Sequence, residues 1–378
     1  MIYFLLPSAQ IHTFGPFLDR TGPEVRNRAK VITLEHAIRQ SRLPIGTYVF
    51  SGLCVGSDAA RKVASELSGQ LKAGDSSIRL LNDPEKVLWR YELLRALHET
   101  GINGFRAYRL SELYDETPRF PVFLRSERMH TGNLTPILDD REELEGAINL
   151  LKRRGLPVEK LLAVEYVHAP GSDDLFRKYT AVRVGDTLIP RYLTWSPNWL
   201  VKRHPKDLSR DDPAIARLVK EEFDYARTDP WHDVIWKVFE IANIEYGRVD
   251  YTVVNGVPQI WEINTAPFLD PGDLDRPQES WLNRLREPTK ELFYERFFPA
   301  LFAIDSPYPD GAVDISLDGR LVGQVLKQQA RARRFRWLAP LMRVAKRWPR
   351  KGPLRAVRVL FGPLAKRVIW TSERDRSG

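Results

Sequence analysis

The chain predicts an α/β protein in three parts: a small parallel-sheet αβα domain, a larger body of mixed α and β structure, and a basic helical C-terminal tail. Three observations predict this. The first 80 residues alternate short apolar strands with helices, the pattern of parallel strands joined by crossovers. The middle mixes helices with strand-like runs, two of which flank an Asn255-Gly256 turn. Charge is divided unevenly: Arg320 to Gly378 holds 17 Lys and Arg against two acids, while the preceding 319 residues hold 41 basic and 47 acidic side chains. The formal net charge of +9 therefore belongs to the tail.

In order, Ile2 to Leu6 is a strand, Pro23 to Gln40 a helix, Thr47 to Leu53 a strand, Asp58 to Leu71 a helix and Ile78 to Leu81 a strand. Pro84 then suits a first helical position, with Asp83 as N-cap, Gly101 as stop and Leu88, Leu93, Leu94 and Leu97 as the apolar stripe. A strand from Phe120 to Arg125 leads into the polar loop Ser126 to Asn133, which carries Gly132. A helix (Arg141 to Arg154) and strands at Lys160 to Val167, Tyr179 to Val184 and Thr187 to Leu193 follow. Asp207 to Asp212 reads as an acidic loop, Trp231 to Ile244 as a helix, and Glu287 to Ala303 as the last helix of the folded body. Pro307-Tyr308-Pro309-Asp310-Gly311 marks a linker. The expected divisions are 1–83, 84–305 and 306–378.

Composition excludes several classes. At 378 residues the chain can hold two or three domains. One cysteine, Cys54, rules out an internal disulfide framework and fits a reducing compartment. No run approaches a spanning helix, and Met1 to Pro7 lacks the charged start and length of a signal peptide, so the expected location is cytoplasmic. The seven histidines show no metal-ligand spacing. No Cys/His or Ser/His/Asp nucleophile is persuasive; Cys54, between Gly52 and Gly56, reads as a strand-end packing residue. In the tail, Trp337, Leu341, Val344, Ala345 and Trp348 follow helical spacing among Arg336, Arg343, Lys346, Arg347 and Arg350. Residues 331–370 thus suit either an anionic membrane surface, with peripheral attachment at the inner membrane face, or helices folded back on the body. Nucleic acid is disfavoured because the body carries no matching basic surface or RNA-binding motif. Oligomeric state is not legible.

The chemistry concentrates near residue 250. Arg248 and Asp250 are two apart on one strand, Glu262 and Asn264 two apart on the next, so each pair leaves one face. A strict two-residue Asn255-Gly256 loop sets Asp250 against Trp261, opposite in facing to Glu262. A three-residue loop with Gly256 in a G1 bulge pairs Val253 with Val257 and brings all four side chains to one side; this bulged form is the expectation. Two carboxylates and an amide oxygen then make a hard-oxygen site of the type magnesium takes beside substrate phosphates. The competing reading is an amphipathic hairpin with solvated acids. Phosphates need cations, and Arg90 in the first turns of the long helix and Arg125 at a strand end are placed to supply them. Glu165, the single acid in Leu161 to Val167, offers an acceptor for a nucleotide's ribose or amino group; the alternative is a strand-end acid facing water.

In this order the pieces resemble the ATP-grasp superfamily of carboxylate-amine ligases, by motif from Asn82 to Pro267 and by pattern alone over the first 80 residues. The resemblance implies an ATP-grasp fold of two α+β subdomains, one of them a lid at about 119–168. Arg248-Val249-Asp250 with Glu262-Ile263-Asn264-Thr265 is most similar to the D-alanine:D-alanine ligase branch, which implies Mg2+ on Asp250, Glu262 and Asn264 and a catalytic Arg248 stabilising the acyl phosphate and tetrahedral intermediate. The Asn82-Asp83-Pro84 start, and Trp195-x-x-Asn198 after Arg191, resemble the glutamate-ligase branch that modifies protein C-termini; Lys178, Arg191 and Asn198 join Arg90, Arg125 and Glu165 on the ATP side. The chain departs from the family where arginines replace its two phosphate-binding lysines, where its glycine-rich lid is reduced to Ser126 to Asn133, and where Phe268-Leu269-Asp270 follows Pro267, which disfavours D-alanine as substrate. The implied activity is ATP-dependent joining of a small-molecule or peptide carboxylate to an amine. The rivals are a kinase on the same site and a degenerate nucleotide-binding adaptor.

Overall fold

The computed structural model describes residues 1–128, 132–202, 204–205, 208–269, 280–305 and 310–336. β1 (Ile2–Leu6) is apolar and buried at all five positions, as a central parallel strand covered on both faces must be. It is followed by α1 (Ile11–Arg20), α2 (Pro23–Arg28), β2 (Ala29–Thr33), α3 (Leu34–Ala37), β3 (Arg42–Pro44), β4 (Thr47–Phe50), α4 (Asp58–Gly74) and β5 (Arg79–Leu81). These give the expected parallel sheet, in the order β2-β1-β4-β5. The stretch from Pro23 to Gln40 is not one helix. Its β-branched Val31-Ile32-Thr33 pairs in register with Phe4-Leu5-Leu6, and Thr33 then caps α3 through a bond from the His36 amide. α4 starts on Ser57, whose hydroxyl accepts from the Ala60 amide at 3.1 Å, and buries Ala60, Val63, Ala64, Leu67 and Leu71 along one stripe.

The next group comprises α5 (Arg90–Glu99), β6 (Ala107–Arg109), β7 (Val122–Ser126), α6 (Arg141–Arg153) and β8 (Leu161–Glu165). α5 begins at Arg90, six residues after the expected Pro84 start. Asp83 starts only a single turn, its Oδ1 accepting from the Glu85 amide at 3.3 Å and its carbonyl from the Lys86 and Val87 amides, while its carboxylate also accepts from Ser68 Oγ at 2.9 Å and pairs with Lys72. Gly101 does end the helix region, with φ +75°. β6, β8 and β7 form an antiparallel sheet carrying α6, and this sheet takes in Ala107–Arg109 as well as the 119–168 segment.

β9 (Phe176–Val184), β10 (Thr187–Ser196), α7 (Pro213–Thr228), α8 (His232–Ala242), β11 (Tyr246–Val254), β12 (Val257–Asn264), α9 (Ser280–Leu285) and α10 (Glu287–Ala303) complete the body. The sheet β10-β9-β11-β12 is antiparallel throughout. Its rear face, Tyr179, Ala181, Val249, Tyr251, Ile260 and Ile263, packs in one core with Ile215, Leu218 and Tyr225 of α7 and Ile235, Val238 and Phe239 of α8. α7 has no counterpart in the sequence reading, although Asp212 caps it through the Ala214 amide and Pro213 opens it.

α10 spans the expected residues but is not the last helix of the body. β13 (Ala312–Asp314) pairs with β3, and α11 (Gly319–Arg336) packs along α4, burying Val325 in the first domain's core. The boundary at 306 therefore fails in physical terms, since the chain crosses back and completes the N-terminal domain. The tail positions 337–370 proposed for a membrane surface lie outside the described residues. Among the described residues no helix is long and apolar enough to cross a membrane.

Asn82 fastens the first domain to the body. Its φ is +57°, its amide nitrogen donates to Phe50 O at 3.0 Å and Tyr246 O at 2.7 Å, and its Oδ1 accepts from the Glu245 and Tyr246 amides at 2.9 Å each. Asn82→Ala strands these buried backbone groups, and denaturant unfolding should show a loss of about 3 kcal/mol.

Candidate active site

Register decides the site. Val254 pairs with Val257 around a two-residue turn in which Asn255 and Gly256 have φ +50° and +80°, as a type I′ hairpin requires. The expected three-residue loop with a G1 bulge is thus absent. The irregularity lies deeper, where Tyr251 pairs with Ile260 and Asp250 with Glu262, leaving Trp261 as the extra residue of β12. That displaced bulge restores the facing the tight turn would have lost. Asp250 stands directly across from Glu262, Arg248 across from Asn264, and Trp261 and Glu262 both border the same cavity.

The cavity measures about 340 Å³. Its floor is Arg248, Asp250, Glu262 and Asn264, and Phe123, Tyr166, Phe176, Trp199 and Trp261 give it aromatic walls. Trp261 stacks on Phe105 at 4.8 Å, and Trp199 lies 5.3 Å from Phe123. Lys202 packs over Gly132, where an added Cβ would lie 2.4 Å from its Nζ and where φ is +85°. This close approach accounts for the single glycine of the shortened loop.

Arg248 grips Asp250 with Nε at 2.7 Å and Nη2 at 3.1 Å, and its Nη1 donates to Tyr192 Oη at 3.2 Å. Lys178 Nζ reaches Asp250 at 3.3 Å. Burial works to raise the Asp250 pKa, but Arg248 and Lys178 outweigh it and hold the carboxyl below the usual range. For Arg248 burial works downward and Asp250 overcomes it, so the guanidinium stays charged. Tyr192 also titrates low: burial opposes this, and Arg248, Arg191 and Lys178 prevail.

Glu262 is held from another side. Its Oε2 accepts from Arg125 Nη2 at 2.7 Å and from Arg90 Nη2. Arg90 also donates through Nη1 to the carbonyls of Ser126 at 2.8 Å and Glu127 at 3.2 Å. Burial, then the neighbouring Arg90, pull Arg125 down to about 10 against the opposing pull of Glu262. Buried Arg125 Nε has no hydrogen-bond partner among the described residues. Arg90, Arg125, Lys178 and Arg248 thus meet two carboxylates, Asp250 and Glu262, and the local surplus of positive charge suits a polyanion.

Four expected residues lie off the cavity lining: Arg90, which stands behind Glu262, and Glu165, Arg191 and Asn198. Glu165 turns toward the backbone of neighbouring segments, accepting from the amides of Arg119 at 2.8 Å and Arg106 at 3.1 Å and from Arg119 Nη2 at 3.1 Å. It is a fastening of β6 to β8, and its neighbours Tyr166 and Val167 face the cavity in its place. Arg191 donates to Phe268 O at 2.7 Å and lies over the rings of Tyr192 and Phe293. Asn198 is exposed, while Trp199 beside it is a wall residue. Tyr192 and the aromatic walls were missed. The only available signal was the run of aromatic residues around Trp195 and Trp199 and the placement of Trp261 on the hairpin.

The donors fit magnesium in kind. Asp250 and Glu262 face each other with Asn264 two residues on, and magnesium typically takes one or two carboxylates, completing its shell with phosphate oxygens and water. Among the described residues no group of three or more His, Cys, Asp or Glu side chains gathers in metal-binding range, so the third protein donor would be the Asn264 amide oxygen. In the structure that oxygen accepts from the Ala266 amide at 2.9 Å.

Together these features define an α/β protein with a polyanion-suited, aromatic-walled cleft between two β subdomains. No protein-family model and no curated protein matches the sequence. Among solved structures the chain is similar to a D-alanine–D-alanine ligase from Bacillus anthracis complexed with ATP, at 12% identity over 80% of this chain and 99% of that one, with TM-score 0.42. It is similar to an L-amino acid ligase from Bacillus licheniformis at 12% identity over 70% and 66%, TM-score 0.34. It is also similar to a RimK domain ATP-grasp protein from Sphaerobacter thermophilus at 14% identity over 78% and 100%, TM-score 0.37. At such identities and scores the chemistry must be read from the side chains themselves.

Proposed function

We propose that this chain is an ATP-dependent carboxylate-amine ligase of the ATP-grasp type, working through an acyl phosphate. The observation that carries the reading is the pairing of Asp250 with Glu262 on the floor of an aromatic-walled cavity, beside four cationic side chains. Phe123, Trp199 and Trp261 offer ring faces to a purine base. Arg125, Lys178 and Arg248 reach the same space and would neutralise a triphosphate. Magnesium, held by Asp250, Glu262 and Asn264, would supply further neutralisation of the transferring phosphoryl group.

The chain's own part is positioning. A substrate carboxylate oxygen attacks the γ-phosphorus and ADP leaves; an amine nitrogen then attacks the acyl carbon and inorganic phosphate departs with the electrons of the C–O bond. Arg248 is fixed by Asp250 on one edge and Tyr192 on another, so it is preorganised to receive the oxyanion of that second step. Little covalent work falls on the protein, which accords with a cavity lining that has no Ser, Cys or His among the described residues.

The test is phosphate release from ATP across panels of carboxylates and amines, with mass detection of the product. A ligase gives free phosphate only with acid and amine together, plus the amide mass. Phosphate left on a hydroxyl acceptor would make the site a kinase, and ATP binding without turnover across the panels would make it a binding module.

A further inference from the structure

Glu262 Oε2 is a single oxygen contacted by two guanidiniums, Arg90 and Arg125, whose side chains are 5% and 9% exposed. Both contacts fall on a carboxylate that the proposed function needs as a cation ligand, and this inference rests on that reading. A divalent cation and the arginine pair therefore compete for one carboxylate. The arginines are not surface decorations: Arg90 is anchored on the carbonyls of Ser126, the last residue of β7, and of Glu127 just after it, and Arg125 borders the cavity directly. A guanidinium has a planar fork able to engage carboxylate or phosphate in the same way. Two such groups on one carboxylate place a pair of buried guanidiniums at the cavity floor, where Arg125 meets the space an entering polyphosphate would occupy.

We propose that Arg90 and Arg125 form an exchange latch: they hold Glu262 until phosphate oxygens draw their guanidiniums away, and only then does Glu262 become a ligand for the divalent cation. Cation and polyphosphate thus bind as an obligatory pair, each raising the affinity for the other, since linkage between two sites is reciprocal.

Two binding experiments on the full chain test this, with circular dichroism to verify the fold of each variant. The first follows Mn2+ alone, without nucleotide, by the electron paramagnetic resonance signal of the free ion. Arg125→Gln should bind Mn2+ roughly tenfold more tightly than the unaltered chain, and Arg90→Gln should shift the same way. The second titrates tripolyphosphate calorimetrically in EDTA. Glu262→Gln releases both arginines from their carboxylate and should bind tripolyphosphate roughly tenfold more tightly, while Arg125→Gln binds it more weakly. Unchanged Mn2+ affinity in the folded arginine variants overturns the latch. So does unchanged or weaker tripolyphosphate binding by Glu262→Gln, which keeps the proposal testable if an arginine variant fails to fold. Failure of the ligase reading looks different: no phosphate release from ATP with any acid and amine, while both binding shifts persist.

Discussion

Asp250→Asn should lower ATP-dependent phosphate release by roughly 10³-fold, the several kcal/mol expected when charge neutralisation at a transferring phosphoryl group is lost. The substitution is nearly isosteric, and Asp250 lies where β11 is paired on both sides, to Thr180 and Glu262, so the sheet should stand. What disappears is the carboxylate charge that Arg248 and Lys178 share. Because those two cations hold the Asp250 pKa below the usual carboxylate range despite burial, the group is ionised throughout the neutral range. Its folded-state pKa is depressed, so its contribution to stability is present above the unfolded pKa and is lost as pH falls through the folded one. No step in the rate profile near neutrality should belong to it. Steady-state phosphate release, with a melting curve run in parallel, checks the prediction; a well-folded variant retaining a large share of the turnover would remove Asp250 from the chemistry.

Arg286→Ala should cost stability on a comparable scale, about 3–5 kcal/mol, through a buried ion pair that touches neither cavity wall nor floor. Arg286 binds Glu222 through Nε at 2.7 Å and Nη2 at 3.0 Å, and Glu222 on α7 is only 1% exposed. Burial already raises the Glu222 pKa, with Arg286 as the opposing influence. Without Arg286 the upward shift grows. Between the unfolded and folded pKa values the folded state then binds more protons than the unfolded one, so stability falls as pH rises through that window. The defect should therefore be smaller near pH 5 than near pH 8, measured as urea midpoints at the two pH values. An equal loss at both would mean that Glu222 is not left as an uncompensated charge.

The hairpin was legible because its information is local: alternation puts Arg248 with Asp250 and Glu262 with Asn264, and Asn255-Gly256 announces the turn. The position of the bulge was not, since Trp261 carries no glycine or other turn chemistry to mark it, and its displacement depends on pairing deeper in the ladder. The parallel first sheet followed from alternation as well. Asp83-Pro84 starts one turn, capped through the Glu85 amide, and the helix does not continue for a non-local reason: the Leu88 amide donates to Ala242 O on α8. Asp212-Pro213 is a local start signal for α7, at the end of the stretch whose acidity suggests a loop. Glu165 was placed on the right strand, but which way a strand-end acid turns depends on the amides of Arg106 and Arg119, contributed by other segments. The return of α11 to α4 is likewise a tertiary event, with its capping bonds supplied by Gln70 and Glu66 of α4 to the Ser316 and Asp318 amides.

The most direct test of the central claim is a crystal structure of the full chain with a non-hydrolysable ATP analogue and magnesium. The predicted result is a base against Trp199 and Trp261 with phosphates at Arg125, Lys178 and Arg248 over the Asp250–Glu262 pair. Nucleotide seated elsewhere, or none in that cavity at millimolar concentration, would contradict the account.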